Sequence, residues 1–293
     1  MTAPEFSIVI PTFNRRDSLM ETLSCLGRLR YSRNLYEVLV VDDGSTDGTC
    51  EALGSRAEAA AFRLRCLRQD RQGAGAARNR GIREAEGELC FFLDDDVLAW
   101  PDLLSEHHES HRGEVRALVR GPVINIPALP VPCEPPSLWQ HYSMNYLCTS
   151  NASLRREHLL EAGLFDENFE RWEDAELGVR LKQIGVRRKF NLKAFVHHLK
   201  PPVPVRKQLA IAGDDGRSAA RLYRRYPSLG MRLRTGLHGL NYLRSELLTA
   251  APLQRLYQTW MQGYPEGKVA RLAQSLLRER EYLRSGRAEL RGI

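Results

Sequence analysis

The chain has 293 residues, of which 43% are hydrophobic and 27% are charged. These fractions are ordinary for a globular protein, and they exclude an intrinsically disordered chain or a fibrous repeat. The sequence has no run of about 18 apolar residues and no basic stretch leading into an apolar leader, so we expect a cytoplasmic protein. The six cysteines are scattered without metal-type spacing, which predicts reduced thiols.

The net charge of +7 is unevenly distributed. From Pro201 onward, 17 Lys and Arg stand against 7 Asp and Glu, so this part carries +10 and the preceding part carries −3. Such an excess predicts an anionic partner, either a membrane surface, a phosphorylated acceptor or nucleic acid. A solvated helical face accounts for the basic residues equally well.

Short apolar runs alternate with helical patterns over the first hundred residues. The predicted strands are residues 6–10, 36–41, 64–67 and 89–93, and the predicted helices are residues 16–29, 47–61 and 74–85. This alternation predicts an α/β fold of Rossmann-like type, with a mostly parallel sheet and helices on both faces.

The pattern changes after residue 98. A helix over 102–111 and a strand over 115–119 come next, and six prolines between Pro122 and Pro136 predict an irregular loop over or beside the site. An amphipathic helix over 173–184 and a closing strand over 189–196 follow. After Pro204 only helical patterns remain, over residues 207–226, 229–248, 253–261 and 268–285.

Three aspartates, Asp94, Asp95 and Asp96, directly follow the fourth predicted strand. In open α/β sheets ligands bind at the carboxyl ends of the strands. Adjacent carboxylates repel one another unless a cation or hydrogen-bond donors compensate, and Mg²⁺ or Mn²⁺ prefers oxygen ligands. The triad therefore indicates a divalent metal site, and the alternative is a solvated acidic turn before the next helix.

Two weaker candidates lie at neighbouring positions. Asp43, after the second strand, could accept hydrogen bonds from a nucleobase or a ribose, although an Asp-Gly turn after a strand is common. Gly73 and Arg78 lie where a loop enters a helix, and could together receive a diphosphate. The glycines there match neither a dinucleotide fingerprint nor a phosphate-loop motif.

Glu173 and Asp174 begin a predicted helix, where acidic residues complement the helix dipole. Either carboxylate is also a candidate general base for a hydroxyl group. His197 and His198 close the last predicted strand. One of the two could be a metal ligand while the other is structural.

Six segments, in this order, resemble the family 2 glycosyltransferases of the GT-A fold. They are residues 7–15 (SIVIPTFNR), 41–49 (VDDGSTDGT), 76–82 (AARNRGI), 92–97 (FLDDDV), 151–156 followed by 163–167 (GLFDE), and 172–174 (WED). The resemblance implies a GT-A catalytic domain over residues 1–204, with a nucleotide-sugar half over about 1–98 and an acceptor half over about 99–204. It does not cover the basic helical region of residues 205–293.

The resemblance also implies roles for single residues. Pro11 and Thr12 with Asp43 would line the nucleoside pocket. Asn14, Gly73 and Arg78 would bind the donor, and Arg78 would face its diphosphate. Asp94 and Asp95 would hold the ribose and the donor sugar. Asp96 would ligate Mn²⁺ or Mg²⁺. His198 would complete the metal site, with His197 as the second choice. Asp174, with Glu173 as the alternative, would be the base of an inverting displacement on a nucleotide-sugar, with a UDP-sugar as the family's common case.

Two other functions remain open at this point. A nucleotidyltransferase also combines an α/β sheet with acidic metal ligands, but residues 11–15 lack the glycines and lysine that such enzymes use. A non-catalytic module could bind nucleic acid or a membrane through the basic helices, although the intact acidic set argues against it. We expect these helices to shape the acceptor side, to form a homodimer, or to rest on the anionic inner face of a membrane; nucleic acid is the least favoured partner. The acceptor, whether a glycan, lipid-linked glycan, protein or metabolite, is not specified by the sequence.

Overall fold

The computed structural model describes residues 3–130, 136–137, 145–263 and 267–292. The chain divides into two compact units between Pro201 and Pro202. The strands of the first unit are β1 (Phe6–Thr12), β2 (Tyr36–Asp42), β3 (Arg63–Arg68), β4 (Leu89–Phe92), β5 (Val97–Ala99), β6 (Ala117–Arg120), β7 (Val123–Ile126), β8 (Ala152–Arg155), β9 (Arg187–Phe190) and β10 (Val196–Leu199). Its helices are α1 (Arg16–Leu26), α2 (Thr49–Ala59), α3 (Ala74–Glu84), α4 (Leu103–His111), α5 (Arg156–Glu161) and α6 (Glu173–Gln183).

In the described part of the first unit, the strands form two sheets. The larger sheet has the order β3-β2-β1-β4-β8-β6-β9, and the smaller has the order β5-β10-β7. Strands β1 to β4 run parallel, whereas β8 runs antiparallel to both β4 and β6. The prediction of a mostly parallel α/β sheet is confirmed, and β8 is an antiparallel strand that it did not include.

Alternate residues of β1 enter two different cores. Ile8 and Ile10 pack with the leucines of α1 and α4, whereas Val9 packs with residues of α3, α5 and α6. Since successive side chains of a strand point to opposite faces, helices cover both sides of the sheet. This burial on both faces explains why β1, β2 and β4 read as continuous apolar runs.

Three sequence-based boundaries are wrong, each for a local reason. Residues 123–126 form β7 inside the proline-rich segment, because Pro122 and Pro127 flank the strand without interrupting it; residues 131–135 of that segment lie outside the described residues. The single strand over 189–196 is two strands in different sheets, because Asn191 accepts the Lys193 N–H (2.9 Å) in a turn. The helix over 229–248 is two helices, because Gly236 ends the first with a φ of 69°.

The chain passes from the larger sheet to the smaller one at Gly121. A Cβ atom at this position would lie 1.6 Å from the carbonyl oxygen of Ala194. Asn151 fixes the same junction, since its side-chain amide donates to the carbonyls of Ala194 (2.8 Å) and Pro122 (3.1 Å). Only glycine allows the two backbones to approach this closely.

The second unit contains helices α7 (Val205–Arg225), α8 (Leu229–Thr235), α9 (Gly239–Leu248), α10 (Ala251–Gly263) and α11 (Lys268–Arg291), so the predicted helical C-terminal region is confirmed. Helices α7 and α11 pack through small residues: a Cβ atom on Gly216 would lie 2.0 Å from the carbonyl oxygen of Tyr282. Among the described helices, none combines the length and the apolar character that a membrane-spanning segment requires.

Candidate active site

The carboxyl ends of three adjacent parallel strands bring the predicted site residues together. Strand β1 lies between β2 and β4 and ends at Thr12, while β2 ends at Asp42 and the aspartate triad follows β4. Pro11, next to Thr12, is in register with Val41 of β2. The order β2-β1-β4 therefore places the loops after these strands at one sheet edge.

Each aspartate of the triad has its own partners. The Thr12 hydroxyl donates to Asp95 (2.8 Å), and the Ser150 hydroxyl donates to Asp94 (2.5 Å). Asp96 accepts from His198 Nε2 (2.9 Å). These contacts come from distant parts of the chain, so the triad is a folded site and not a solvated turn.

Arg15 supplies positive charge to the same triad. Its guanidinium donates to Asp96 and lies 3.5 Å from Asp95. Although burial opposes ionisation, the hydrogen bonds and charges of His198 and Arg15 hold the pKa of Asp96 below its ordinary value. Burial raises the pKa of Asp95 to about 7, because Arg15 and Thr12 compensate only in part. The two neighbouring carboxyls therefore ionise in different pH ranges.

Asp94, Asp96 and His198 offer ligand atoms that all lie within 4.8 Å of one another. Two carboxylate oxygens and an imidazole nitrogen form a suitable donor set for a divalent cation. His197 does not belong to this group. Residues alternate along β10, and the His197 ring contacts Phe195 and Trp100 on the other side of the strand, with ring centroids 5.6 and 6.5 Å away.

Arg78 links the triad to the start of α6. Its guanidinium donates to Asp94 (2.9 Å) and to Glu173 (2.8 Å), and the residue is only 4% exposed. The resemblance implied that Arg78 faces a diphosphate; the structure places it in a buried double ion pair. Burial and the adjacent Glu173 carboxylate raise the pKa of Asp174 above its ordinary value. Glu173 and Asp174 therefore lie beside the triad.

Asp43 orders the loop that leads into α3. Its two carboxylate oxygens accept hydrogen bonds from the side chain of Gln69 (2.9 Å) and the backbone N–H groups of Gln72 (2.9 Å) and Gly73 (2.8 Å). Gly73 precedes α3 with a φ of 95°. The carboxylate of Asp43 thus sets the position of Gly73, where the sequence predicts a diphosphate site.

Asn14 joins two of the site loops. It adopts a φ of 51°, its backbone N–H donates to the Ser45 hydroxyl (2.9 Å), and its side-chain oxygen accepts the Thr46 N–H (2.8 Å). Asparagine tolerates this left-handed conformation better than most residues. The loop after β1 is therefore tied to the loop after β2.

Sequence reasoning did not identify Arg15 and Ser150 as site residues. Arg15 stands in the first family-like segment, so its position next to Asn14 was the available signal. Ser150 lies 56 residues after Asp94 along the chain, and no local pattern connects the two. The resemblance implied donor binding for Asp94, and its carboxylate also belongs to the group of possible metal ligands, as the pattern of three aspartates indicated.

These features define an α/β domain with an acidic site at the carboxyl ends of its parallel strands, and comparison with solved structures identifies its fold. A mannosyltransferase, PcManGT from Pyrobaculum calidifontis, solved with GDP-Man and Mn²⁺, matches with a TM-score of 0.70 and 19% identity over 99% of this chain and 88% of that chain. S. aureus TarS 1-349 in complex with UDP-GlcNAc matches with a TM-score of 0.62 and 18% identity, covering 98% and 92%. The predicted GT-A fold is confirmed.

The chain matches the sequence model of Glycosyl transferase family 2 over residues 7–160 and belongs to that family. The validoxylamine A glucosyltransferase of Streptomyces hygroscopicus subsp. jinggangensis is 31% identical in an alignment of 223 positions that covers 62% of this chain and 52% of the relative. The glycosyltransferase YfnE of Bacillus subtilis is 25% identical in an alignment of 241 positions that covers 61% of each chain. The chain therefore spans between about half and three fifths of the length of these relatives.

Proposed function

We propose that this chain transfers a sugar from a nucleoside diphosphate donor to a hydroxyl acceptor, with inversion at the anomeric carbon. One observation carries the proposal: the triad Asp94–Asp96 has contacts on two sides. Asp96 contacts His198, and Arg78 links Asp94 to Glu173 at the start of α6. One group of residues can then hold the leaving phosphates while a second group activates the attacking hydroxyl.

The donor side is formed by the loops after β1, β2 and β3. Pro11, Thr12 and Asp43 are the proposed nucleoside contacts. Asp43 Oδ1 already accepts two hydrogen bonds from the residues before α3, whereas Oδ2 accepts one and can accept a further hydrogen bond. Asn14 and Gly73 shape the loops around the diphosphate. Asp94 and Asp95 are the proposed contacts of the ribose and the donor sugar. A UDP-sugar is the favoured donor, since uridine is the common nucleoside in the family.

Asp96 and His198, together with Asp94, would hold a divalent cation, Mn²⁺ or Mg²⁺. Their mutual distances and their mixed oxygen and nitrogen donors fit such an ion. When bound, it would neutralise charge that develops on the leaving diphosphate. His197 is the weaker candidate, because its ring lies among aromatic side chains.

Asp174 is the proposed general base, with Glu173 as the alternative. The acceptor oxygen forms a bond to the anomeric carbon as the bond from that carbon to the diphosphate oxygen breaks, and the acceptor proton passes to the Asp174 carboxylate. A raised pKa makes Asp174 a stronger base near neutral pH than an exposed aspartate. Glu173 is engaged with Arg78, which orients the start of α6. The products are a glycosylated acceptor and a nucleoside diphosphate.

A donor screen tests the proposal. Purified chain is incubated with a panel of nucleotide-sugars in the presence of Mn²⁺ or Mg²⁺, and free nucleoside diphosphate and free pyrophosphate are both measured. We expect nucleoside diphosphate release with one donor class, lost on chelation and restored by excess metal. Pyrophosphate release instead would favour a nucleotidyltransferase. No turnover of any donor with either metal would count against both activities.

A matched pair of variants assigns the metal ligands. Asp96→Asn removes one carboxylate of the cluster and is expected to abolish metal-dependent release. Asp17→Asn removes an aspartate from the exposed face of α1, where its side chain is 90% exposed, and is expected to leave release unchanged. Equal activity of the two variants would remove Asp96 from the proposed metal site.

A further inference from the structure

Large apolar side chains of the second unit lie on its surface. Of the fourteen exposed large hydrophobic residues in the described part of the chain, ten fall within residues 202–292. Leu229 and Leu240 are 74% and 76% exposed. Single exposed leucines are common on protein surfaces, but a concentration in one unit marks an interaction surface.

Five of the six exposed leucines of α8 and α9 follow helical spacing. They are Leu229 and Leu233, four residues apart on α8, and Leu240, Leu243 and Leu247 on α9. Residues three or four apart lie on the same side of a helix. These five residues, called here the leucine face, therefore form an apolar stripe on each of the two helices.

The same helices bury few side chains and no leucine. Ser245 is the buried residue of α9, and α8 buries Met231 and Thr235. An amphipathic helix of a globular protein normally turns its leucines to the core. The leucine face therefore lies outside the buried core of the second unit and is available to a partner.

The residues around the leucine face are basic. Arg232 and Arg234 on α8 and Arg255 on α10 are exposed, and so is Arg244 on α9, which is paired with Glu279 of α11. From residue 229 to residue 263 the sequence has a single acidic residue, Glu246, against these four arginines. The surface thus combines exposed leucines with positive charge.

We propose that the leucine face docks this chain on the surface of an anionic phospholipid bilayer. Helices that lie in a membrane interface insert apolar side chains at the level of the headgroups while their basic residues contact anionic lipids. Lysine or arginine near such a surface strengthens binding about fivefold per residue. The proposal concerns a surface of the second unit and is independent of the transfer reaction.

Charge distinguishes the bilayer from a second copy of the chain. Self-association through the leucine face would bring the arginines of one copy towards the same arginines of the other, which is unfavourable. A bilayer that contains anionic lipids supplies the opposite charge over the whole surface. The bilayer is therefore the partner that satisfies both the leucines and the arginines.

Co-sedimentation of the full chain with lipid vesicles tests the proposal. We expect the chain to pellet with vesicles of phosphatidylcholine and phosphatidylglycerol, to remain in solution with phosphatidylcholine alone, and to dissociate as salt is raised. The triple variant Leu240→Gln, Leu243→Gln, Leu247→Gln should lower the partition coefficient by about tenfold or more. The pair Arg232→Gln, Arg234→Gln should lower it by about twentyfold.

A matched control replaces exposed apolar residues of the first unit. Val115→Gln and Leu160→Gln change side chains that are 70% and 44% exposed, and should leave vesicle binding unchanged. Circular dichroism on heating checks that every variant is folded. The proposal fails if the wild-type chain does not pellet with anionic vesicles, or if the triple variant pellets as well as the wild type. It fails equally if ultracentrifugation without lipid shows a dimer that the triple variant breaks while vesicle binding is absent.

Discussion

The two units use the same residue types in opposite ways. In the first unit, branched and aromatic side chains fill both faces of a sheet, while Asp95 and Asp96 are held with little exposure at its edge among specific partners. In the second unit, α7 and α11 meet through glycine and alanine, and leucines of α8 and α9 face outward. Buried charged residues therefore indicate the candidate active site of the first unit, whereas exposed apolar residues indicate the candidate interaction surface of the second unit.

The largest effect expected is on catalysis in the first unit. Asp174→Asn keeps the shape of the side chain but removes the base, so we expect sugar transfer to fall by about 10³-fold or more. Donor binding should change little, because the donor contacts lie on other elements. Transfer rates and donor titration calorimetry measure the two quantities. Equal loss of both would mean that Asp174 serves donor binding and is not the base.

The next effect sharpens the contrast between buried and surface charge. Arg78→Met leaves Asp94 and Glu173 without their shared partner, and should lower the free energy of unfolding by about 3–5 kcal/mol. Arg112→Met breaks an ion pair whose partners are 68% and 65% exposed, and should change stability very little. Urea unfolding of both variants is the measurement. Similar losses in the two would contradict the special role of the buried network.

A third prediction concerns the small-residue packing of the second unit. Gly216→Ala places a methyl group against the Tyr282 carbonyl and should destabilise this unit by about 1–3 kcal/mol. Gly230→Ala, in the interior of α8 with open space around it, should be neutral or slightly stabilising. Thermal unfolding compares the two. If Gly230→Ala were the more harmful change, close helix packing would not be what stabilises the second unit.

The fourth prediction concerns a pH dependence of the first unit. His107 and His111 share the Ser153 hydroxyl at 2.7 and 2.8 Å, and burial lowers the pKa of His107 to about 3 and that of His111 to about 4. The unfolded chain binds these protons near pH 6.5, so their contribution to stability is present above that pH and is lost as the pH falls. Between pH 7 and pH 5 we expect a loss of about 2 kcal/mol per histidine.

Urea unfolding at a series of pH values measures this dependence. His107→Gln removes one titrating ring and should reduce the slope of stability against pH over the same range. An unchanged slope in this variant would show that His107 titrates normally in the folded chain.

Much of the fold could be predicted from the sequence because β1, β2 and β4 are buried on both faces and read as unbroken apolar runs. Strand β8 was missed because Ser153, at its centre, is polar and is satisfied by histidines of α4, a contact that no local pattern records. The two helices predicted as one are separated by Gly236, which ends α8 in a left-handed conformation. Elements set by local pattern were predictable, and elements set by distant partners were not.

The same division applies to the candidate site. The triad and the start of α6 were visible as motifs, but the order of His197 and His198 required the register of β10, which pairs with both β5 and β7. The ion pair of Arg78 with Glu173 joins residues 95 positions apart. Sequence could name these residues, whereas their partners depend on how the sheets assemble.

Gly121 sets a spacing on which the candidate metal ligands depend. Ala194, whose carbonyl oxygen would collide with any side chain at position 121, lies two residues before β10 begins at Val196, and β10 carries His198 towards Asp96. A methyl group at 121 would therefore push β10 away from the larger sheet and lengthen the distance from the imidazole to the carboxylate. The distance between His198 and Asp96 therefore depends on the absence of a side chain at Gly121, a residue that lies between β6 and β7. Substitutions at positions that would not touch a metal can thus still disturb this site.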